Sequence, residues 1–310
     1  MTNQPQRLNR LHDLYQTEGA RGAARGIARY WRHQVRPAHR AKCQLLRLAA
    51  GNRLEIDWFE GSLLVDLTAG PVHRDLAVDG IREAWSLQRY RADMRAAPAG
   101  TTIIDCGSNI GHIPIAVADV VDSIRCVEPD PRNCDWLLKN IALNRDLRAY
   151  IEMLEAALGP DRGSVAFDQA RAPNLNQVSE LAEFRPQVGS GRAVEQQIEV
   201  PMTTLDTIVP DTGPVVLRMD VEGYESEILA GATFLFQTTR PLYLWVELHA
   251  ESISQAMLDG FVNRCRAGGL ELQHCVDGGG ESGRPVCANW DEVRESSRNL
   301  HVFASRGFDE

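Results

Sequence analysis

The stretch Ile103-Ile104-Asp105-Cys106-Gly107-Ser108-Asn109-Ile110-Gly111 decides how this chain is read. A β-branched run from Thr101 ends on an acid. Two glycines follow four residues apart, and apolar residues from Ile110 to Val121 recur at helical spacing. That order is a strand, a tight turn and a helix. Gly107 and Gly111 let the backbone come close to a ligand and let the helix pack against the sheet. The exposed N–H groups at the helix start suit a carboxylate or a phosphate.

The turn departs from the dinucleotide pattern, because the glycines are four apart and Asp105 precedes them. An acid there repels a pyrophosphate and suits an ammonium group. The spacing therefore favours a ligand with an amino-acid end, such as S-adenosyl-L-methionine, over NAD; a purely structural glycine turn is the plainer alternative. Glu128 follows 23 residues after Asp105, at the end of a second strand, Ser123 to Val127. A carboxylate at that separation accepts hydrogen bonds from both ribose hydroxyls. Pro129 then stops the strand. A third acidic segment, Arg218-Met219-Asp220-Val221-Glu222-Gly223-Tyr224-Glu225, closes a fourth strand and opens a helix. Glu225 and Glu227 suit the helix dipole, which leaves Asp220 as the functional candidate.

Working outward, Asn133 to Asn144 reads as a helix and Tyr150 to Leu158 as a third strand. Val215 to Met219 is the fourth strand and Leu242 to Leu248 the fifth. Leu270 to Val276 and Leu300 to Ala304 are two later strands, separated by Gly278-Gly279-Gly280. Alternation of this kind predicts a mainly parallel sheet covered by helices on both faces, with ligands beyond the carboxyl ends of the strands. Residues 159–195 form a polar insertion, with a hairpin expected from Ser164–Phe167 and Gln197–Val200. Thr204 is placed to cap a short helix, Leu205 to Val209. Upstream, residues 52–68 predict a hairpin turning at Glu60-Gly61, Ile81 to Met94 a helix, and Ala96 to Gly100 a linker.

Composition excludes several classes. The 310 residues are 44% apolar and 24% charged, ordinary for a globular protein. No uncharged apolar stretch reaches the roughly 18 residues of a membrane span, and Met1 to Arg10 lacks the apolar core of a secretory signal. The seven cysteines are odd in number and hold no C-x-x-C pair, so a disulfide framework or zinc ribbon is not expected. Buried thiols in a cytoplasmic protein are. Residues 1–50 carry ten Lys or Arg against two acids, a balance of +8, while the remaining 260 carry 23 against 40, a balance of −17. So acidic a body argues against nucleic acid as partner. In the basic extension, Ile27, Tyr30, Trp31 and Val35 recur at helical spacing among arginines. Such a helix packs on its own acidic domain, or residues 1–45 dock it peripherally on an anionic membrane or acidic partner.

Four segments now stand in order: Asp105-x-Gly107-x-Asn109-x-Gly111, Glu128-Pro129, Thr203-Thr204-Leu205-Asp206 and Asp220-Val221-Glu222-Gly223, closed by Val246-Glu247-Leu248-His249. Together they resemble the FkbM family of S-adenosylmethionine-dependent methyltransferases over about residues 75–250. The resemblance implies an α/β fold: a Rossmann-like, seven-stranded class I methyltransferase sheet with helices on both faces and the last strand antiparallel. It implies O-methylation of a sugar, glycan or other small natural product. It also implies a cofactor site drawn from Glu83, Asp105, Gly107, Ser108, Asn109, Gly111, Glu128, Ala156 and Asp220. Two departures stand out: His112 follows the second glycine where an aromatic is frequent, and Arg218 replaces a frequent Lys. Three parts are expected: a basic helical extension over 1–50, a hairpin-and-helix subdomain on the substrate side over 51–98, and the cofactor domain over 99–310.

A hydroxyl is a poor nucleophile, so a general base within hydrogen-bond reach is expected. Asp220, Glu222, Glu247 and His249 fall at or just beyond the strand ends and are the candidates. Their spacing is too irregular to assign a metal, and His249 can equally be a core histidine. Two other readings remain open at this stage: a nicotinamide-dependent oxidoreductase, disfavoured by the missing G-x-G-x-x-G, and a non-catalytic cofactor-binding module recruited through its basic tail.

Overall fold

Seven runs rich in Val, Ile, Leu and Phe lie side by side in one sheet, and alternate residues of each inner strand face opposite cores. The computed structural model describes residues 39, 41–170, 176–179, 194–238, 240–279 and 283–308. In chain order its elements are α1 (41–50), β1 (Arg53–Trp58), β2 (Gly61–Asp66), α2 (Pro71–Asp79), α3 (Ala84–Ala96), β3 (Thr102–Cys106), α4 (His112–Val117), β4 (Ser123–Val127), α5 (Pro131–Leu143), β5 (Tyr150–Leu154) and β6 (Ala157–Leu158). There follow β7 (Gly163–Ala170), β8 (Gln177–Val178), β9 (Val194–Thr203), α6 (Leu205–Ile208), β10 (Val215–Met219), α7 (Glu225–Ala230), α8 (Thr233–Gln237), β11 (Leu242–Leu248), α9 (Gln255–Ala267), β12 (Glu271–Asp277), α10 (Trp290–Arg294) and β13 (Leu300–Arg306).

The large sheet has the order β12-β13-β11-β10-β3-β4-β5. Its inner pairs are parallel, and β13 runs antiparallel to both β11 and β12. This is the expected sheet, with the last strand reversed. One face carries Ile104, Leu217, Leu244 and Val302 against α7, α9 and the second sheet. The other carries Ile103, Val216, Tyr243 and Phe303 against the β1–β2 hairpin and α2 to α5. A strand buried on both sides is mainly apolar, and the charged residues of β3, β10 and β11 are confined to Asp105, Arg218 and Glu247 near their carboxyl ends. All seven cysteines are buried. No helix among the described residues is long and apolar enough to cross a membrane.

Several boundaries differ from the sequence reading. The strand expected over 150–158 breaks after Leu154. Its continuation, β6, leaves the large sheet and pairs with β9 in a second sheet of order β6-β9-β7-β8. The expected hairpin is part of that sheet, with Val165 opposite Val200. The helix expected from Ile81 starts at Ala84, because Glu83 takes a left-handed backbone, φ 49°. The helix after the glycine turn spans only His112–Val117. Helices α2, α8, α9 and α10 are additions to the elements read from the sequence. Thr204 does hold the cap position of α6, yet its hydroxyl bonds Thr207 Oγ1 at 2.9 Å rather than a backbone amide. The basic helical pattern around Tyr30 and Trp31 lies outside the described residues, as do Gly280 and most of the 171–193 stretch.

Candidate active site

The turn after β3 is held down from two sides. The Gly107 and Ser108 N–H groups donate to Val127 O at 2.9 and 3.1 Å, and Ser108 Oγ donates to Asp105 O at 2.8 Å. Gly107 has φ +79°, and a Cβ there would sit 2.1 Å from Asp220 O. Only glycine allows β3 and β10 to end so close together. Gly111, at φ +89°, would drive a Cβ to 2.7 Å from Leu137 Cδ1 of α5. The glycine pattern therefore sets how tightly two strand ends and a helix meet.

That loop and the strand ends enclose about 970 Å³ of space, open solvent at the mouth included. Gly107, Asn109, Glu128, Ala156, Asp220, Glu222, Glu247 and Glu83 all line it. Five lining carboxylates face one lining guanidinium, Arg82, among the described residues. A cavity so acidic suits a cationic ligand and opposes a polyphosphate.

Glu128 is 4% exposed and fully engaged on its protein side. Its Oε2 accepts from the Asn109 N–H at 2.8 Å, and its Oε1 from the Asp130 N–H at 3.0 Å and Asn133 Nδ2 at 3.2 Å. Burial nevertheless outweighs these donors and pushes its carboxyl up to about 7.

Asp105, Ser108 and Gly111 stand behind the wall rather than in it, since none of the three is among the lining residues. Asp105 sits opposite Arg218 in the β3–β10 register. Arg218 Nη1 lies 3.4 Å from Asp105 Oδ1, Nη2 donates to Asp220 Oδ2 at 3.1 Å, and the guanidinium stacks 5.5 Å from the Trp245 ring. Burial pushes the Asp105 carboxyl up, against the pull of Arg218. Burial would raise Asp220 too, but Arg218, with His249 and Arg82, holds it below the ordinary carboxylate range. Asp105 thus anchors Arg218, and Arg218 fixes an ionised Asp220 at the cavity wall.

Beyond β10 and β11 the four predicted catalytic candidates come together. His249 Nδ1 lies 2.8 Å from Glu225 Oε1, which also accepts the Gly223 N–H at 3.1 Å. Its Nε2 is 3.8 Å from both Glu222 Oε2 and Glu247 Oε1. Burial disfavours the imidazolium, yet Glu222, Glu225 and Glu247 outweigh it and hold the ring's proton well above the ordinary histidine range. Glu247 is pushed well above the carboxylate range by burial, Asp220 and Glu83. Glu83, Asn109 and Glu222 all have left-handed backbones. Left-handed positions gathered at one cavity make it the candidate functional site.

A sequence profile described as the methyltransferase FkbM domain matches residues 105–265, more than half of the chain. This chain belongs to the FkbM methyltransferase family. The hexuronic acid methyltransferase AglP of Haloferax volcanii is 25% identical over 182 residues, which span 56% of this chain and 69% of that protein. Likeness to solved structures is more remote. Trm5b from Pyrococcus abyssi aligns over 82% of this chain with a TM-score of 0.42 and 10% identity. TYW2 of M. jannaschii, in complex with AdoMet, aligns over 82% with a TM-score of 0.36 and 11% identity. The chain spans 56% of the former and 84% of the latter.

Within the FkbM segment, the Thr203–Asp206 motif turns out to be architectural. Asp206 accepts the Phe234 and Leu235 N–H groups at 2.7 and 2.9 Å and so caps α8. Four residues of the site escaped the sequence reading as functional groups: Arg82, Asn133, Glu225 and His301. Glu225 was visible in the acidic run but reads there as a dipole partner, while its tie to His249 spans 24 residues. His301, on β13, accepts from Trp245 Nε1 at 3.2 Å and lies 3.8 Å from Glu83. No local pattern announces either contact.

Proposed function

We propose that this methyltransferase transfers the methyl group of S-adenosyl-L-methionine to a hydroxyl of a sugar or glycan. The observation that carries this reading is the cavity itself: an acidic pocket at the parallel strand ends, bounded by a glycine turn and by Glu128. Its charge suits a molecule bearing a sulfonium and an ammonium. Glu128 would take the ribose hydroxyls and Ala156 would border the base. Glu83 and Asp220 would meet the ammonium, with Asp105 acting through Arg218. When bound, that cofactor supplies an already activated methyl group.

The chain's own part is to position the acceptor and take its proton. Glu247 lines the cavity at the end of β11 beside Asp220 and in its ionised form is the proposed proton acceptor, made more basic by its burial beside Asp220 and Glu83. His249 and Glu222 flank it. Phe167, Gln177 and Val178 of the second sheet, with Val72 and Arg82 from the 51–98 segment, line the rest of the cavity and would choose the acceptor. The relative AglP is named for a hexuronic acid, and Arg82 is suited to the carboxylate of such a sugar. The acidity that suits the cofactor also counts against nucleic acid as the substrate.

Calorimetric titration tests the cofactor, with S-adenosyl-L-methionine expected to bind and NAD not. Binding of NAD alone would replace this reading by an oxidoreductase. Transfer of labelled methyl into an extract, with identification of the product, tests the acceptor. A product labelled on nitrogen or carbon would reject the O-directed part.

The same titration has a pH signature. Glu128 is neutral below about 7 and ionised above it. Only the ionised form accepts from both ribose hydroxyls, so cofactor affinity should rise about tenfold between pH 6 and pH 8. Glu128→Gln should bind more weakly and with a flat profile. A wild-type affinity that falls over that range would refute the assignment.

A further inference from the structure

At the ends of β10 and β11 three side chains stand around a gap. His249 is more than nine-tenths buried, and its Nδ1 is tied to Glu225, which is fully buried. A histidine oriented by a carboxylate in this way presents its other nitrogen as a ligand. That nitrogen, Nε2, faces Glu222 and Glu247 at 3.8 Å each, beyond hydrogen-bond reach. One ligand atom each of Asp220, Glu222 and His249 lie within 4.8 Å of one another. Octahedral bonds of about 2.1 Å set ligands about 3.0 Å apart when adjacent and about 4.2 Å when opposite.

Two other groups with similar composition lack that gap. His39 Nε2 contacts Asp75 and Asp79 directly, at 3.2 and 3.3 Å, so the ring itself fills the space between them. His301 is engaged at both nitrogens, by Trp245 Nε1 and by Gly278 O, each at 3.2 Å. Of these three groups, found among the described residues, His249's is the one that offers a ligand nitrogen into a ring of carboxylates.

The geometry points to a divalent-cation site formed by His249 Nε2, Asp220 and Glu222. One imidazole with two carboxylates suits an ion such as Mn²⁺, which takes nitrogen more readily than Mg²⁺ does. The ion replaces the proton that His249 otherwise carries. Open to the cavity, it would hold the acceptor oxygens and polarise the hydroxyl that Glu247 deprotonates. This last role rests on the methyltransferase reading, whereas the binding of the ion does not.

The test is titration of the metal-free full chain with MnCl₂, with unbound Mn²⁺ read by electron paramagnetic resonance. One ion per chain is expected. His249→Gln and Glu222→Gln should each weaken binding at least tenfold while melting as folded proteins, and Asp75→Asn, in the His39 group, should bind as the wild type does. Should His249→Gln fail to fold, Glu222→Gln decides, because its side chain is 21% exposed. No bound ion in the wild type, or an affinity lowered by Asp75→Asn and kept by Glu222→Gln, overturns the site. Cofactor titration without metal fails or succeeds separately, so the two readings fall independently.

Discussion

Gly107→Ala should lower the melting temperature by roughly 5–15 °C and abolish cofactor binding. Two costs combine. A left-handed backbone at φ +79° disfavours an L side chain by roughly 1–2 kcal/mol. The added Cβ would also lie 2.1 Å from Asp220 O, a backbone atom that can move only if β3 and β10 part. Overpacking of that kind costs roughly 1–3 kcal/mol. The sum is a large share of the roughly 5–15 kcal/mol that holds a domain folded. Whatever shift relieves the clash displaces Asp220, so binding suffers even where folding survives. Gly163→Ala is the control: nothing lies within 4 Å of its Cβ and its φ is not positive, so its melting should match wild type. Gly107→Ala with wild-type melting and affinity would disprove the close contact between the loop and β10.

Glu247→Gln should lower kcat by roughly 10²–10⁴, the usual contribution of a positioned proton acceptor. That corresponds to roughly 3–5 kcal/mol of barrier. Cofactor affinity should change less than about threefold, since Glu128 and the glycine loop do not touch the substituted group. Glutamine keeps the shape and loses the basic oxygen, so the split between kcat and binding isolates the proton transfer. Glu247→Asp should recover part of the rate, because it restores the carboxylate one methylene further back. An undiminished kcat in Glu247→Gln would pass the role to another group on the wall.

In residues 101–128 the two strands and the glycine turn were legible, while the helix between them has half its expected length. β4 and β10 have the expected ends, and β3 lies one residue along from its expectation. The Asn109–Glu128 contact joins two elements adjacent in sequence and in the sheet. By contrast, Asp105 looked like the direct partner of an ammonium and instead lies behind the wall against Arg218, 113 residues away. Arg218 read only as a departure from a frequent lysine. It is 3% exposed and works as a buried counter-ion. Glu83 carries its meaning in a left-handed backbone and in a neighbour on β13, neither of which has a sequence signature.

The sequence by itself determined the strand alternation, the glycine turn and the acids at the strand ends. Each of these is a local matter of side-chain period, backbone freedom or the two or three residues around a turn. Only the tertiary structure decided which carboxylates share a cavity and which are spent on a guanidinium. It also turned His249, which read equally as a candidate base or a core histidine, into a ring held between Glu225 and two cavity acids. Those outcomes depend on distances between strands and on burial. Both are set when non-neighbouring elements pack together, and neither is written in the spacing of residues along the chain.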